Sequence, residues 1–290
     1  MHSSFKHLLL AGASLLCLSA SAQDQGLTFP ESVISDGKYL YVDNIGEGMN
    51  PGAKDGNGYI SKLSLDGQLI TKSITTEKLD APKGSAIVGG VLYVADIDRI
   101  VGIDLQTGKK TAELSFAREK TSFLNDVVAK DAHTLFVSAT DVGKVYEVTL
   151  GKGLSYKALP VAVAGANGIV YDPQAHKLYT CGFEGGAAPT GILGEISWKN
   201  RQASFRRIGT EVGYFDGLQL LDAHTLLVSD WANMASPAGA GIFKKVNVQS
   251  GQATEVLKGV SGPADFYYDA AKHIVVTPAM LESKILFKPL

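Results

Sequence analysis

Five polar residues recur at one point of a repeated segment, and together they offer a definite chemistry. Glu31, Lys83, Asn125, Asn167 and Asp216 each open a short strand-like stretch, and in a sixth copy the position is Ala264 with Asp265 beside it. Two carboxylates and two amide oxygens are the donors that a hard divalent cation such as Ca²⁺ takes at about 2.3–2.6 Å. Singly, each has an ordinary explanation. Asn167-Gly168 and Asp216-Gly217 are common turn dipeptides, Asn125-Asp126 reads as a strand-entry cap, and a lone Glu31 as a solvated carboxylate. Their shared register is what makes them a candidate site. Lys83 brings an ammonium into the same ring, where it repels a cation, grips an anionic ligand or sits solvated on the rim.

Histidine chemistry is excluded by position. His133, His176, His224 and His273 all fall in the turn that ends the same strand-like stretch. At about 3.3 Å per residue that turn lies roughly 20–30 Å from the strand start. A Ser-His-Asp or Cys-His nucleophile at the ring therefore has no imidazole, and no HExxH metal motif occurs. Beyond residue 22 the only cysteine is Cys181, inside a β-forming run, so neither an intrachain disulfide nor a Cys-rich zinc site is available there. It reads as a small buried hydrophobe.

The repeat predicts the elements that carry the ring. Its copies start at 31, 83, 125, 167, 216 and 264, and each pairs an alternating strand, a tight turn and a strongly β-forming strand, as in Glu31–Val42 or Asp216–Val228. A third strand follows in every copy (Gly58–Leu65, Arg99–Leu105, Gly143–Leu150, Gly194–Trp198, Gly241–Val248 and Lys284–Lys288), with a fourth visible at Lys109–Leu114 and Gln252–Leu257. Recurrence every 40–50 residues of short strands, with almost no helical periodicity, is the pattern of an all-β, six-bladed β-propeller of four-stranded antiparallel blades around a central channel. A β-sandwich does not explain it. The chain stops after the third strand of the sixth copy, so Gln25–Phe29 is expected to supply the missing strand and close the ring. Each innermost strand runs along the channel, which brings the six strand-opening residues to one mouth.

Residues 1–22 read as a cleaved secretory signal: Lys6 and His7 precede the apolar run Leu8–Leu18, and Ser19-Ala20-Ser21-Ala22 offers small residues for the peptidase. That run is too short to span a bilayer, which takes about 20 residues. Residues 23–290 form one propeller domain, expected in the periplasm or outside the cell, with no membrane association, as a monomer. With 27 basic and 29 acidic side chains in 290 residues and no basic stripe, nucleic-acid binding is not expected.

Over nearly all of residues 23–290 the chain resembles the SMP-30/gluconolactonase/LRE-like six-bladed propellers. Pro30-Glu31, Asn125-Asp126, Asn167-Gly168 and Asp216-Gly217 occur in the order and blades in which that family carries its Glu, Asn-Asp, Asn-Gly and Asp-Gly. The resemblance implies that Glu31, Asn167 and Asp216 ligate a divalent metal (Ca²⁺ first, Zn²⁺ or Mn²⁺ as alternatives) and that Asn125 lies beside it against metal or substrate. It implies hydrolysis of a lactone or related cyclic ester, the cation polarising the carbonyl and acidifying a water, with Asp216 as general base. The chain departs from the family at Phe123, two positions before Asn125, where members often carry an Arg that holds a polar substrate; Phe123 implies a less polar one. Lys83, Phe123 and Trp231 are the remaining candidates for substrate contact, and the loops Asp43–Asn57 and Glu184–Gly191 are long enough to shape a pocket. The alternative is a non-catalytic propeller that binds a ligand or protein and holds at most a structural ion, since propellers often serve as binding platforms. Strictosidine-synthase-like chemistry is a third reading, less consistent with the ligand pattern.

Overall fold

Alternating apolar residues and β-branched runs give the chain almost nothing but strands, and the computed structural model, which describes residues 25–290, contains 23 of them. They form six antiparallel sheets, five with four strands and the sixth with three. The first strands of the six sheets are Pro30–Ser35, Pro82–Val88, Leu124–Asp131, Ala166–Asp172, Phe215–Asp222 and Tyr267–Asp269. Each packs against the first strand of the next sheet, and the sixth against the first, so the inner strands make a closed ring. This is the expected six-bladed propeller. The only helical turns among the described residues are Ala117–Glu119 and Met280–Glu282.

The blades adhere through six apolar interlayers. Tyr41, Ile60, Leu92 and Val94 fill the first, between blades one and two. Phe116, Leu124 and Tyr146 belong to the next, where Phe116 stacks on Tyr156 with centroids 4.2 Å apart. The ring closes through Val33, Leu40, Val276 and Ile285, between blades six and one. Outer strands need no such partner. Lys110–Ser115, for instance, is largely exposed and charged, which protects the blade's open edge from pairing with another chain.

The repeat's tight turn has one cause in five blades. Asp36, Asp131, Asp172, Asp222 and Asp269 each accept a backbone N–H two residues on, at 2.8–3.1 Å, as in the bond from His133 to Asp131. Blade two replaces that carboxylate with Gly89-Gly90, both at positive φ. His133, His176, His224 and His273 sit in these turns, exposed.

The N-terminal segment closes the ring, but not as a strand. Residues 25–29 form no ladder. Instead Gln25 Oε1 accepts from the Ile285 amide at 2.6 Å, the Phe29 amide donates to Ser283 Oγ at 3.3 Å, and Leu27 is buried in the closing interlayer. The sixth blade therefore has three strands rather than the expected four. The signal expected over residues 1–22 lies outside the described residues.

Closure through Leu27 gives a direct test. Leu27→Ala leaves a cavity between the first and last blades and is expected to lower unfolding free energy by about 2–4 kcal/mol, measured by urea denaturation.

Candidate functional site

A slip in strand register turns the ring residues toward the axis. In five blades the pairing of the first two strands shifts near the start of the inner strand, and in blades three and five it shifts again at the turn end. In blade one the irregularity falls between Pro30 and Ser32, bracketing Glu31. Equivalent breaks bracket Lys83, Asn125, Asn167 and Asp216. A bulge of this kind bends the strand and re-aims the side chain at it. All five residues are buried, none more than 6% exposed, and all five line one cavity of about 360 Å³ at one end of the channel.

In blades two and five the aspartate that ends the second strand fixes the segment that enters the ring. Asp96 Oδ1 accepts the amides of Asp80 and Ala81 at 2.9 Å, just before Pro82-Lys83, while Arg99 holds its Oδ2 at 2.8 Å. Asp230 Oδ1 accepts the amides of Tyr214 and Ala232 at 3.0 and 2.9 Å, and Lys244 Nζ lies 3.2 Å from its other oxygen. The Cys181 thiol donates to the Asp216 carbonyl at 3.0 Å, so this buried cysteine also holds the bulge. Burial pushes its pKa well above the usual thiol value, which keeps it a donor.

Charge at the cavity floor is held at a cost. Desolvation raises Glu31 well above the ordinary carboxyl range, reinforced by Asp216 and partly opposed by Lys83. Asp216 is pushed up to about 7 by burial, against the stabilising bond from the Trp231 indole N–H to Oδ2 at 2.8 Å and another from Asn167. Glu31 Oε2 and Asp216 Oδ1 are buried with no hydrogen-bond partner. Such orphaned oxygens need a proton or a cation. Among the described residues no three His, Cys, Asp or Glu side chains converge as metal ligands, so a cation here would rely on two carboxylates completed by amide oxygens. That donor set suits a hard cation.

Lys83 is not on the rim. It is fully buried, with Nζ donating to the carbonyls of Pro51 at 2.8 Å and Ala81 at 3.2 Å, and lying 4.4 Å from the centre of the Phe123 ring. Burial lowers its pKa to about 8 against the pull of Glu31, Asp96 and Asp141.

Phe123 and Trp231 both line the cavity, as do Met49 and Pro51 from the first loop and Gly185 from the second. Ala264 and Asp265 do not. The Asp265 amide donates to the Glu31 carbonyl at 3.0 Å, and its carboxylate accepts from Ser32 at 2.8 Å. With Asp126 it lines a separate cavity toward the other end of the channel.

Sequence reasoning missed much of the wall: Ile45, Phe183 and Met280, with Met234 beyond Trp231. The signal was available. Ile45, Phe183, Trp231 and Met280 each directly follow the second strand of a blade, a second register as regular as the first.

No protein-family model and no curated protein matches the chain. Solved structures do. The chain is similar to luciferin-regenerating enzyme, with a TM-score of 0.62 and 14% identity over 88% of this chain and 85% of the other. It is similar to a candidate 6-phosphogluconolactonase from Bacteroides fragilis, with a TM-score of 0.57 and 15% identity over 86% and 76%. It is also similar to a chain of the nidogen/laminin complex, with a TM-score of 0.53 and 16% identity over 89% and 90%. At these identities the likeness is one of fold, shared by lactonase-named propellers and by a chain from a protein–protein complex.

Below the floor, Asp43 gives a test of the buried charge. Desolvation, with Asp126 and Asp96 nearby, raises its pKa from 3.8 to about 8, although Ser85 donates to it at 2.7 Å. From about pH 4 to 8 the folded chain holds a proton that the unfolded chain releases, so this group's contribution to stability falls as pH rises through that window. A side-chain amide in its place would still accept from Ser85 but could not ionise. Asp43→Asn is therefore expected to match the parent in urea melts near pH 4 and to exceed it increasingly toward pH 8.

Proposed function

We propose that this chain is an exported, metal-dependent hydrolase of the SMP-30/gluconolactonase type, acting as a monomer on a lactone or related cyclic ester. One observation carries the reading: two buried carboxylates, Glu31 and Asp216, each keep an oxygen without a partner at the floor of a cavity that also receives Asn125 and Asn167. Glu31, Asn167 and Asp216 are the residues that would hold the cation, with Asn125 beside them. Ca²⁺ suits these donors, with Zn²⁺ and Mn²⁺ as alternatives. When bound, the cation supplies Lewis acidity toward an ester carbonyl and a coordinated water.

The chain's own residues do the rest. Asp216 is the candidate general base. Trp231 fixes one of its oxygens, which orients the carboxylate and leaves the lone pairs of Oδ1 for the cation and for a water proton. Its elevated pKa in the metal-free site, about 7, places it near neutrality, where a base is most effective. A cation held by these residues would lower that value and keep the carboxylate ionised. Walls of Trp231, Phe123, Ile45 and Met280 exclude bulk water, strengthening every charge interaction at the floor. Export rests on residues 1–22; among the described residues no helix is long and apolar enough to cross a membrane.

Titrating Ca²⁺ into chelator-treated protein by calorimetry is expected to give one site. Asp216→Asn is expected to weaken that binding and to lower lactone turnover at least about 100-fold. Failure of Ca²⁺, Zn²⁺ and Mn²⁺ alike to bind, with no lactone turned over by the parent chain, would return it to the class of binding propellers.

Lys83 sets the affinity of that site. An ammonium held close to Glu31 opposes a second cation by Coulomb repulsion in a poorly screened interior. Lys83→Met keeps the volume and removes the charge, and calorimetry should show Ca²⁺ binding tightened by about 10-fold or more. An unchanged affinity would mean that the ammonium lies too far off to act.

A further inference from the structure

The cavity is built for an apolar body with one polar end. Its walls come from Ile45, Met49, Phe123, Phe183, Met234 and Met280, with the flat face of Trp231 beside them. Polar atoms do occur along these walls, and most already have a partner within the protein. The Trp231 indole N–H is bonded to Asp216, and the Thr140 hydroxyl donates to the Ala166 carbonyl at 2.8 Å. Asp141 accepts from Thr121 at 2.6 Å and from the Ser122 amide at 2.7 Å. The Lys83 ammonium is bonded to two carbonyls and covered by the Phe123 ring. Polar atoms free to meet a ligand lie at the floor, on Glu31, Asp216 and the Asn125 amide.

A polyhydroxylated lactone seated here would bury hydroxyl groups against methyl and ring carbons with nothing to receive them, which opposes binding. An alkyl or aryl substituent in the same space gains by leaving water. Three unbranched methionines let the wall re-form around apolar groups of different shape.

We infer that the ligand of this cavity is a lactone or cyclic ester carrying an alkyl or aryl group and no hydroxyls along its body, its ester end on the floor and its apolar group against the methionine and aromatic wall. The inference deepens the hydrolase reading and rests on it for the ester end alone. Phe123 is the specificity-determining residue, because it both forms the wall and covers the one buried ammonium.

The test separates binding from turnover. The chain has two tryptophans; Trp198, stacked on Phe136 at 5.5 Å inside a blade interlayer, is replaced by Phe so that Trp231 alone reports on the cavity. Two lactams that resist hydrolysis are then titrated: a δ-lactam bearing a pentyl chain, and gluconolactam. Saturable change in Trp231 fluorescence is expected with the pentyl lactam and not with gluconolactam at equal concentrations. Phe123→Asn should weaken the pentyl lactam about 10-fold. In parallel, δ-decanolactone should be turned over with kcat/KM at least about 100-fold above that for glucono-δ-lactone. Equal or tighter binding of gluconolactam, or no binding of either lactam, overturns the inference. Saturable pentyl-lactam binding with no turnover of either lactone supports the ligand class and refutes the hydrolase.

Discussion

Six inner strands meet around one axis, and at Gly84, Gly168 and Gly217 there is no room for a methyl group between neighbours; this crowding shapes the site. A Cβ on Gly217 would lie 2.6 Å from the Asp265 Cα and 2.8 Å from the Ala264 carbonyl; one on Gly84 would lie 2.6 Å from the Asp126 Cα. Neither contact can be relieved by rotating a side chain, because the obstruction is backbone. Pairing slips at each of these glycines, and in blades one and three it slips at Glu31 and at Asn125-Asp126 as well. The same slip that relieves the crowding turns Glu31, Lys83, Asn125, Asn167 and Asp216 into the channel mouth. Position and packing are thus one constraint: a residue next to each close approach is delivered to the axis whatever its chemistry.

Delivering charge to that axis is electrostatically unfavourable, and the surrounding hydrogen bonds show how the chain manages it. Below the mouth, Asp126 accepts amides of Val127 and Ile169 at 2.6 and 2.7 Å, and its pKa rises only to about 6. Asp43 has a single hydroxyl partner and rises to about 8. Number of donors, rather than depth, separates these two buried carboxyls. At the mouth, Asp216 keeps the indole and amide bonds but leaves one oxygen bare, and Glu31 has a bare oxygen as well. Of the lower carboxylates only Asp126 has both oxygens bonded; Asp43 and Asp265, like the upper pair, each keep one buried oxygen without a partner.

How much of this was written in the sequence depends on whether a feature repeats. Inner and second strands were legible in every blade because alternation and the Asp-led turn recur, and the ring followed from their register. Third strands matched within a residue or two, as at Arg99–Asp104. Outer strands such as Leu69–Thr71 were hidden, being short, exposed and free of alternating burial. Gln25–Phe29 carried the right place but not the pairing, since ring closure needs only Leu27 buried and Gln25 bonded, and neither demands an extended ladder. The depth of Lys83 was not legible at all. A lysine at a strand start ordinarily reaches water; here the carbonyls of Pro51 and Ala81 and a ring from the segment entering the next blade satisfy the ammonium, and no local pattern encodes that.

Lys83 and Phe123 are best regarded as one departure rather than two. In the ring Lys83 sets an ammonium among carboxylates and amides, and on the wall Phe123 sets a phenyl beside it. Each makes the other tolerable. The phenyl face receives the ammonium that the desolvated cavity would otherwise strand, and the ammonium gives that face a partner it could not find in an apolar wall. The pair sets a positive charge near the carboxylates of the floor and leaves the wall above them apolar. A site shaped this way keeps its carboxylates on the floor and changes what can approach them.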